Sequence, residues 1–267
     1  MLKNSENQRY NLVIKSNDLI QKTRFSLNVE QQKLILYLIS KIKPDDIDFY
    51  EYEFSIIDYF KITGTTKGGN TYRIIEEGLQ TLADKSMYIY DDNGIKNLVR
   101  WLQKVRINEK HGTIIVRFDE DLKPYLLQLK EKFTQYELIY TFCLKSKYSL
   151  RAYEYFTSRH YDKLKSYSFK MSIDEFKERV GAESYDLFKN LNTRVIKPIV
   201  KEINQYTDKM LTIEPITEKR KVTALNITLA SKDVTERRHL RSVINRKLNG
   251  NQLTFDDIMG EELLENE

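Results

Sequence analysis

Cysteine is almost absent from this 267-residue chain, since Cys143 is the only one. No disulfide can therefore form within one chain, which suits a reducing compartment, and we expect Cys143 to be a core residue. Long apolar segments are also lacking: the longest run, Leu34–Ile39, is far too short to span a bilayer. The first residues are polar and contain no signal-peptide core. We therefore expect a cytoplasmic protein with no membrane partner.

Histidine is scarce as well, with only His111, His160 and His239. No two of them stand two to four residues apart, so the paired ligands of a usual zinc site are missing. A rolling-circle nicking enzyme needs two histidines that flank one residue, and this pair is absent too. The chain has neither a G-x-x-x-x-G-K-[ST] phosphate-binding loop nor a G-x-S-x-G nucleophile motif. These absences predict no enzymatic activity, no metal and no cofactor.

The amounts of apolar and charged residues are ordinary. Apolar residues make up 40% of the chain, which is typical of a globular protein, and the net charge is a mild +5. Because a domain of about 100–130 residues can bury an adequate core, the length allows two domains. The distribution of charge is therefore more informative than its total.

A ten-residue pattern occurs twice, as Ser55–Gly64 and again 117 positions later as Ser172–Gly181. A strand-like run precedes each copy, Tyr50–Phe54 and Tyr167–Met171, and helical and hairpin patterns follow each. The interval is much longer than the ~20–50 residues of a solenoid repeat. Coincidence is the competing explanation, but the matching order of elements favours one small domain present twice.

Each copy shows the order helix, strand, helix, helix and β-hairpin. Ser55 and Ser172 are placed as N-caps of the helices that follow them, and Gly64 as the end of the first one. This order is that of a winged helix, whose second helix enters the major groove while the hairpin wing lies along the DNA backbone. The predicted fold is α+β, with two tandem winged-helix domains related by internal duplication.

The predicted boundaries divide the chain into three parts. Residues 1–131 form the first winged-helix domain, for dimerisation or auxiliary DNA contact, with a charged connector helix over Asp119–Lys132 that is interrupted at Pro124. Residues 132–230 form the second domain, the main DNA-binding one. Residues 231–267 are predicted to be a solvated charged tail, basic up to residue 250 and acidic beyond it. A basic helix packed on DNA or on the body of the protein is the competing interpretation.

The second domain holds most of the candidate DNA contacts. A helical wheel places Phe188, Leu191 and Val195 on the core face. The opposite face carries Asp186, Lys189, Asn190, Thr193 and Lys197, with Arg194 on its flank. Cations suit phosphates or guanine edges, and asparagine suits adenine. A plain solvated face of a basic protein is the competing interpretation.

Two further groups complete the candidate interface of the second domain. The hairpin tip carries Lys219, Arg220 and Lys221, which suit phosphates. Ser184 and Tyr185, at the expected start of the helix, could offer a backbone phosphate site.

The first domain is the weaker DNA-binding candidate. Its loop and helix start carry Lys67, Gly68, Asn70 and Arg73, and a glycine there would let the backbone approach a phosphate. A plain turn is the competing interpretation. Glu76 and Glu77 disfavour deep contact in a groove, so this domain could instead serve protein interaction.

Two stretches of the chain carry a family resemblance. The first comprises Val13, Lys15, Asn17, Leu19, Ile20, Leu27 and Glu30–Tyr37; the second comprises Leu144–Arg151, Tyr153, Glu154, Arg194–Pro198 and Glu202–Asn204. Over roughly residues 10–230, the chain resembles the initiator replication proteins of theta-replicating, iteron-bearing bacterial plasmids.

The resemblance implies two winged-helix domains and a set of partners. The C-terminal domain would bind the iterons, direct repeats of origin DNA, and the N-terminal one would add DNA contacts or a dimer interface. Monomers would bind the origin repeats, while homodimers would bind a promoter inverted repeat and repress the gene. Such proteins melt the origin and recruit the host initiator and replicative helicase without nucleotide chemistry of their own.

Pro198 adds a prediction that is independent of the family. It removes one helix hydrogen bond, so we expect the helix to kink or split, with the recognition portion ending near Ile196. The Glu202–Asn204 segment is then expected to pack between helix and wing rather than on DNA.

Two other functions compete with replication initiation. The first is a winged-helix transcriptional regulator without a replication role, and the second is a nicking enzyme, which the missing histidine pair disfavours. Protection of direct repeats would favour the initiator, whereas one palindrome would favour the regulator, since palindromes mirror dimers.

Overall fold

The computed structural model describes residues 7–65, 69–91, 93–160 and 165–250, apart from the side chains of residues 69–71. It divides the chain into two compact units. The first comprises the residues up to Leu138 together with Leu150–Arg159, and the second comprises Ile139–Ser149 and the residues from His160 onward.

Short strands and helices alternate along both units. The strands are β1 (Leu12–Ser16), β2 (Thr23–Arg24), β3 (Tyr52–Ser55), β4 (Ser86–Tyr90), β5 (Lys96–Arg100), β6 (Leu102–Asn108), β7 (Thr113–Phe118), β8 (Phe133–Glu137), β9 (Ser166–Ser172), β10 (Lys209–Glu218) and β11 (Lys221–Ser231). The helices are α1 (Asn17–Gln21), α2 (Val29–Ile39), α3 (Ile56–Thr63), α4 (Gly69–Asp84), α5 (Lys123–Leu126), α6 (Ile139–Phe142), α7 (Lys147–Arg159), α8 (Ile173–Val180), α9 (Phe188–Leu191), α10 (Lys197–Tyr206) and α11 (Val234–Leu248). The described residues also form two 3-10 turns, Gln8–Tyr10 and Glu120–Leu122, and one π-helical turn, Asn192–Ile196.

The first unit contains a strand, two helices and a hairpin in the predicted order. Strand β3 pairs antiparallel with β7, the second strand of the β6–β7 hairpin. The Ser55 hydroxyl accepts from the backbone N–H of Asp58 at 3.5 Å and so caps α3. Gly64 ends this helix with φ of 68°, a left-handed conformation that favours glycine.

The second unit repeats this arrangement. Strand β9 pairs antiparallel with β11, the second strand of the β10–β11 hairpin. Ser172 caps α8 by accepting from the Glu175 N–H at 3.1 Å, and Gly181 ends the helix with φ of 75°. The same cap, the same helix length and the same sheet order at both copies agree with the predicted internal duplication.

The second helix of the second motif contains a π-helical turn, Asn192–Ile196, whereas α4 of the first motif is α-helical throughout. A π-helical turn contains one residue more than an α-helical turn, and the adjacent residues Val195 and Ile196 are both buried. The π-helical turn between α9 and α10 holds this extra residue and keeps the stripe buried as far as Ile203. The helical backbone is therefore continuous from Phe188 to Tyr206.

The predicted connector helix over Asp119–Lys132 is wrong. A 3-10 turn and the four-residue helix α5, with Pro124 in its first turn, are followed by extended backbone at Leu127. Strand β8 then pairs with β1. The gain from this non-local pairing and from burial of Leu122 and Leu126 exceeds the preference of the charged pattern for a helix.

Helix α7 also departs from the predicted division. The sequence analysis placed it in the second domain, but Leu150–Arg159 pack within the first unit. The Arg151 guanidinium donates to the Phe25 carbonyl at 3.0 Å and lies 4.6 Å from the centre of the Phe25 ring.

The prediction of a solvated segment after residue 230 is wrong for Val234–Leu248, which form helix α11. Leu240, Val243 and Ile244 are buried, and the Lys247 ammonium lies 4.1 Å from the centre of the Tyr206 ring. These apolar residues recur at helical spacing, and the charge of the segment obscures them in the sequence. The acidic part of the predicted tail, residues 251–267, lies outside the described residues.

Candidate nucleic-acid interface

The exposed face of the α9–α10 helix carries the residues that the helical wheel predicts. Leu191 and Val195 are completely buried and fix the rotation of the helix. As a result, Lys189, Asn190, Thr193, Arg194 and Lys197 are all exposed. The Thr193 hydroxyl donates to the Lys189 carbonyl at 2.9 Å, so the long side chains and the amide dominate the polarity of this face.

The wing next to this helix ends in a tight two-residue turn. Glu218 pairs with Lys221 in the β10–β11 hairpin, and Lys219 and Arg220 between them have φ of 48° and 68°. Positive φ at both central positions defines a type I′ turn. The side chains of Lys219, Arg220 and Lys221 are exposed at this tip, as the sequence predicts.

Ser184 and Tyr185 lie in the turn before the helix rather than at its first residues, because α9 begins only at Phe188. The Tyr185 N–H donates to the Ala182 carbonyl at 3.2 Å. This amide is therefore occupied within the turn, and the backbone phosphate site at Ser184 and Tyr185 stays a prediction. Both residues line an open polar depression together with Asp186, Leu187, Asn190 and Arg194.

The Tyr185 ring is held against a second tyrosine. It meets Tyr148 edge-to-face with 6.1 Å between the ring centres. The pKa of Tyr148 is raised to about 12, mainly by burial and to a smaller extent by a hydrogen bond to Tyr185.

The Glu202–Asn204 segment of α10 forms hydrogen bonds with strand β10 and with the backbone at Lys145 and Ser146. The Asn204 side chain accepts from the Leu211 N–H at 2.6 Å and donates to the Leu211 carbonyl at 3.1 Å. Glu202 accepts from the N–H groups of Lys145 and Ser146 at 3.0 and 3.2 Å. Of the packing predicted for Glu202–Asn204 between helix and wing, the contact of Asn204 with β10 is present, whereas Glu202 bonds outside the wing. The backbone stays helical through Pro198, so the predicted split does not occur, but a π-helical turn ends at Ile196, where the recognition portion was predicted to end.

Among the first-unit candidates, only Arg73 has both its backbone and its side chain within the described residues. Lys67 and Gly68 lie outside the described residues, as does the side chain of Asn70. Arg73 is exposed on α4 and donates to Glu77 at 3.1 Å. Glu76 and Glu77 are exposed on the same helix, so this face is less basic than that of the second unit.

Leu187 is the feature of the interface that the sequence analysis missed. Its position four residues before Leu191 would place it on the buried stripe if the helix included it. The structure instead gives Leu187 an extended backbone, with φ of −92° and ψ of 126°, and leaves its side chain 66% exposed. Helical periodicity cannot reveal this, since it carries no signal for the residue at which the helix begins.

Metal and membrane sites are also constrained by the structure. Among the described residues, no three histidine, cysteine, aspartate or glutamate side chains are placed to hold a metal ion together. Within the same ranges, no helix has the length and apolar character needed to cross a bilayer.

Two family models match the chain one after the other. The model described as initiator replication protein, WH1, matches residues 12–157, and that described as initiator Rep protein, WH2, matches residues 172–229. The first match alone covers more than half of the chain. The chain belongs to the initiator replication protein family. This membership confirms the predicted tandem winged-helix fold and favours the initiator hypothesis over the transcriptional regulator.

Two relatives agree with this assignment. The chain is 28% identical over 211 residues to a replication initiation protein of Escherichia coli. The match covers 76% of the present chain and 65% of the Escherichia coli protein. The crystal structure of the Pi initiator protein in complex with iteron DNA matches with a TM-score of 0.69 and 17% identity, covering 84% of this chain and 99% of that one. At this identity the structural match shows the shared fold.

Proposed function

We propose that this protein initiates plasmid DNA replication by binding repeated origin sites through its second unit. One observation carries the proposal: the exposed face of Lys189, Asn190, Arg194 and Lys197 belongs to the second helix of a winged helix. That helix normally enters the major groove. There a guanidinium can donate to the O6 and N7 atoms of guanine, and an asparagine amide can pair with adenine.

The wing supplies the sequence-independent part of binding. Lys219, Arg220 and Lys221 are exposed at its tip and suit the phosphate oxygens of one strand. Their charge raises affinity for all DNA and makes it dependent on salt, while the helix face selects the sequence.

The first unit is proposed to act in dimerisation and auxiliary DNA contact. Strand β5 lies at the edge of the β2–β4–β5 sheet, and Leu98 on it is 60% exposed opposite Tyr88. An edge strand with exposed apolar side chains is suited to pairing with a second copy. The phosphate contacts of Lys67, Gly68, Asn70 and Arg73 remain part of this proposal.

The remaining partners follow from the family resemblance. We propose that bound protein helps to open the origin and recruits the host initiator and replicative helicase in the cytoplasm, and that dimers repress the gene. No catalytic step is assigned to the protein itself, and no cofactor is required for these roles.

Footprinting of the DNA that flanks the gene tests the proposal. With the full chain and excess competitor DNA, we expect protection of several direct repeats, spaced by about whole helical turns. Protection of one palindrome would instead make the protein a regulator. Uniform protection that disappears with salt would mean that the basic residues contact phosphates alone.

A further inference from the structure

The entry to the recognition helix carries an exposed apolar side chain. Leu187 is 66% exposed, the largest fraction among the large apolar side chains that the structure describes in the second unit. It lies in the depression lined by Asn190 and Arg194, whose other side chains are mostly polar. A leucine in this place contributes nothing to the core and is available to a ligand.

The backbone holds this leucine in place before any ligand arrives. The Leu187 carbonyl accepts from the N–H groups of Asn190 and Leu191 at 3.0 and 3.1 Å. The turn before it is fixed by the hydrogen bond from Tyr185 to Ala182 and by the contact of Tyr185 with Tyr148. A side chain on such a fixed base loses little backbone entropy on binding.

The surroundings of Leu187 favour DNA over protein as its partner. A protein interface usually has an apolar centre, whereas Leu187 stands among Asp186, Asn190 and Arg194. In the major groove the Asn190 amide and the Arg194 guanidinium could donate to base edges, and the Asp186 carboxylate could accept from the N4 amino group of cytosine. The one apolar group that B-DNA presents there is the C5-methyl of thymine. The residues at the start of a recognition helix are those that contact bases.

We propose that Leu187 is a specificity-determining residue that packs on a thymine methyl group, beside the base pair contacted by Asn190. This inference rests on the proposed function and adds one position to the recognition code. The protein would then prefer thymine over cytosine at that position through an apolar contact, since cytosine lacks the methyl group.

Replacement of thymine by uracil tests the contact without changing any hydrogen bond of the base pair. Duplexes would be selected from a random pool by the full chain, and each thymine would then be replaced singly by uracil. We expect one position, or two adjacent ones, to lose about fourfold in affinity, the effect of burying one methyl group. The Leu187→Ala variant should bind the thymine and uracil duplexes equally.

A matched variant separates this contact from a general effect of removing an exposed apolar side chain. Ile47 in the first unit is 71% exposed, so Ile47→Ala removes a comparable side chain elsewhere. It should keep the full discrimination between thymine and uracil. An unchanged urea midpoint would show that Leu187→Ala still folds.

Several results would overturn the inference while leaving DNA binding intact. Uracil could be neutral at every position for the unmodified chain, or Leu187→Ala could keep the discrimination, and then Leu187 is an ordinary exposed residue. A change of oligomeric state in Leu187→Ala, with unaltered thymine preference, would assign it to a protein interface. If the pool yields no preferred sequence at all, the proposed function fails first.

Discussion

Lys219 and Arg220 occupy a backbone conformation that suits neither residue. Their φ values of 48° and 68° lie in the left-handed region, which costs a residue with a side chain about 1–2 kcal/mol. Asn-Gly is the favoured sequence for a type I′ turn. Two cations at these positions indicate that charge at the wing tip matters more for this protein than turn stability.

The double variant Lys219→Asn/Arg220→Gly is therefore expected to be more stable and to bind DNA less well. The relief of backbone strain, less the entropy that glycine adds to the unfolded chain, should raise the free energy of unfolding by roughly 1 kcal/mol. Affinity falls as salt rises, so the slope of log affinity against log salt is negative. Loss of two phosphate contacts should make this slope shallower by about two. Urea unfolding and DNA binding at several salt concentrations measure the two effects.

Lys221 provides the control within the same wing. It is exposed but lies in strand β11 rather than at a positive φ. Lys221→Ala should make the slope of log affinity against log salt shallower by about one, without the gain in stability expected for the double variant. Equal salt slopes for the unmodified chain, the double variant and Lys221→Ala would show that the wing does not contact phosphates.

At the scale of elements, local signals predicted the duplicated motif well. Ser55 and Ser172 cap their helices, and Gly64 and Gly181 end them in the left-handed conformation, all through contacts within four residues. Such contacts are visible in a short stretch of sequence. The preferred predictions were wrong at the two elements that depend on distant partners: strand β8 forms because β1 pairs with it, and α11 forms because it can bury an apolar stripe.

Within the candidate site, too, one part could be predicted from the sequence and another could not. The exposed face of α9–α10 was predictable because helical periodicity fixes it once Leu191 and Val195 are assigned to the core. The turn before the helix was not, because periodicity alone does not give the first helical residue. Tyr185 and Leu187 therefore lie in the turn before the helix, a placement that the sequence did not predict.

Helix α11 gives a test at this scale. Ile244 is completely buried, so Ile244→Ala should lower the free energy of unfolding by about 2–4 kcal/mol through loss of burial and creation of a cavity. Ser242 is exposed on the same helix, and Ser242→Ala should change stability by less than about 0.5 kcal/mol. Urea unfolding of the full chain measures both. Equal stabilities of the two variants would mean that the segment is the solvated one that its charge suggests.

At the scale of the whole molecule, duplication has given two similar motifs with different surfaces. The second helix of the first motif exposes Glu76 and Glu77, whereas that of the second motif exposes Lys189, Arg194 and Lys197. Repulsion between Glu77 and DNA phosphates disfavours deep groove binding by the first unit, which is consistent with a division of roles between the units.

Arginine substitutions in the two units measure this division. Arg194→Ala should weaken binding to the preferred DNA by about tenfold or more and relax selectivity at one or two base pairs, because a guanidinium–guanine contact contributes about 1–3 kcal/mol to discrimination. Arg73→Ala should change affinity by less than about threefold, because Arg73 is exposed and already paired with Glu77. Binding of each variant to the selected duplex and to single-base variants of it distinguishes the two. A larger loss for Arg73→Ala than for Arg194→Ala would assign the main DNA contacts to the first unit and reverse the proposed roles.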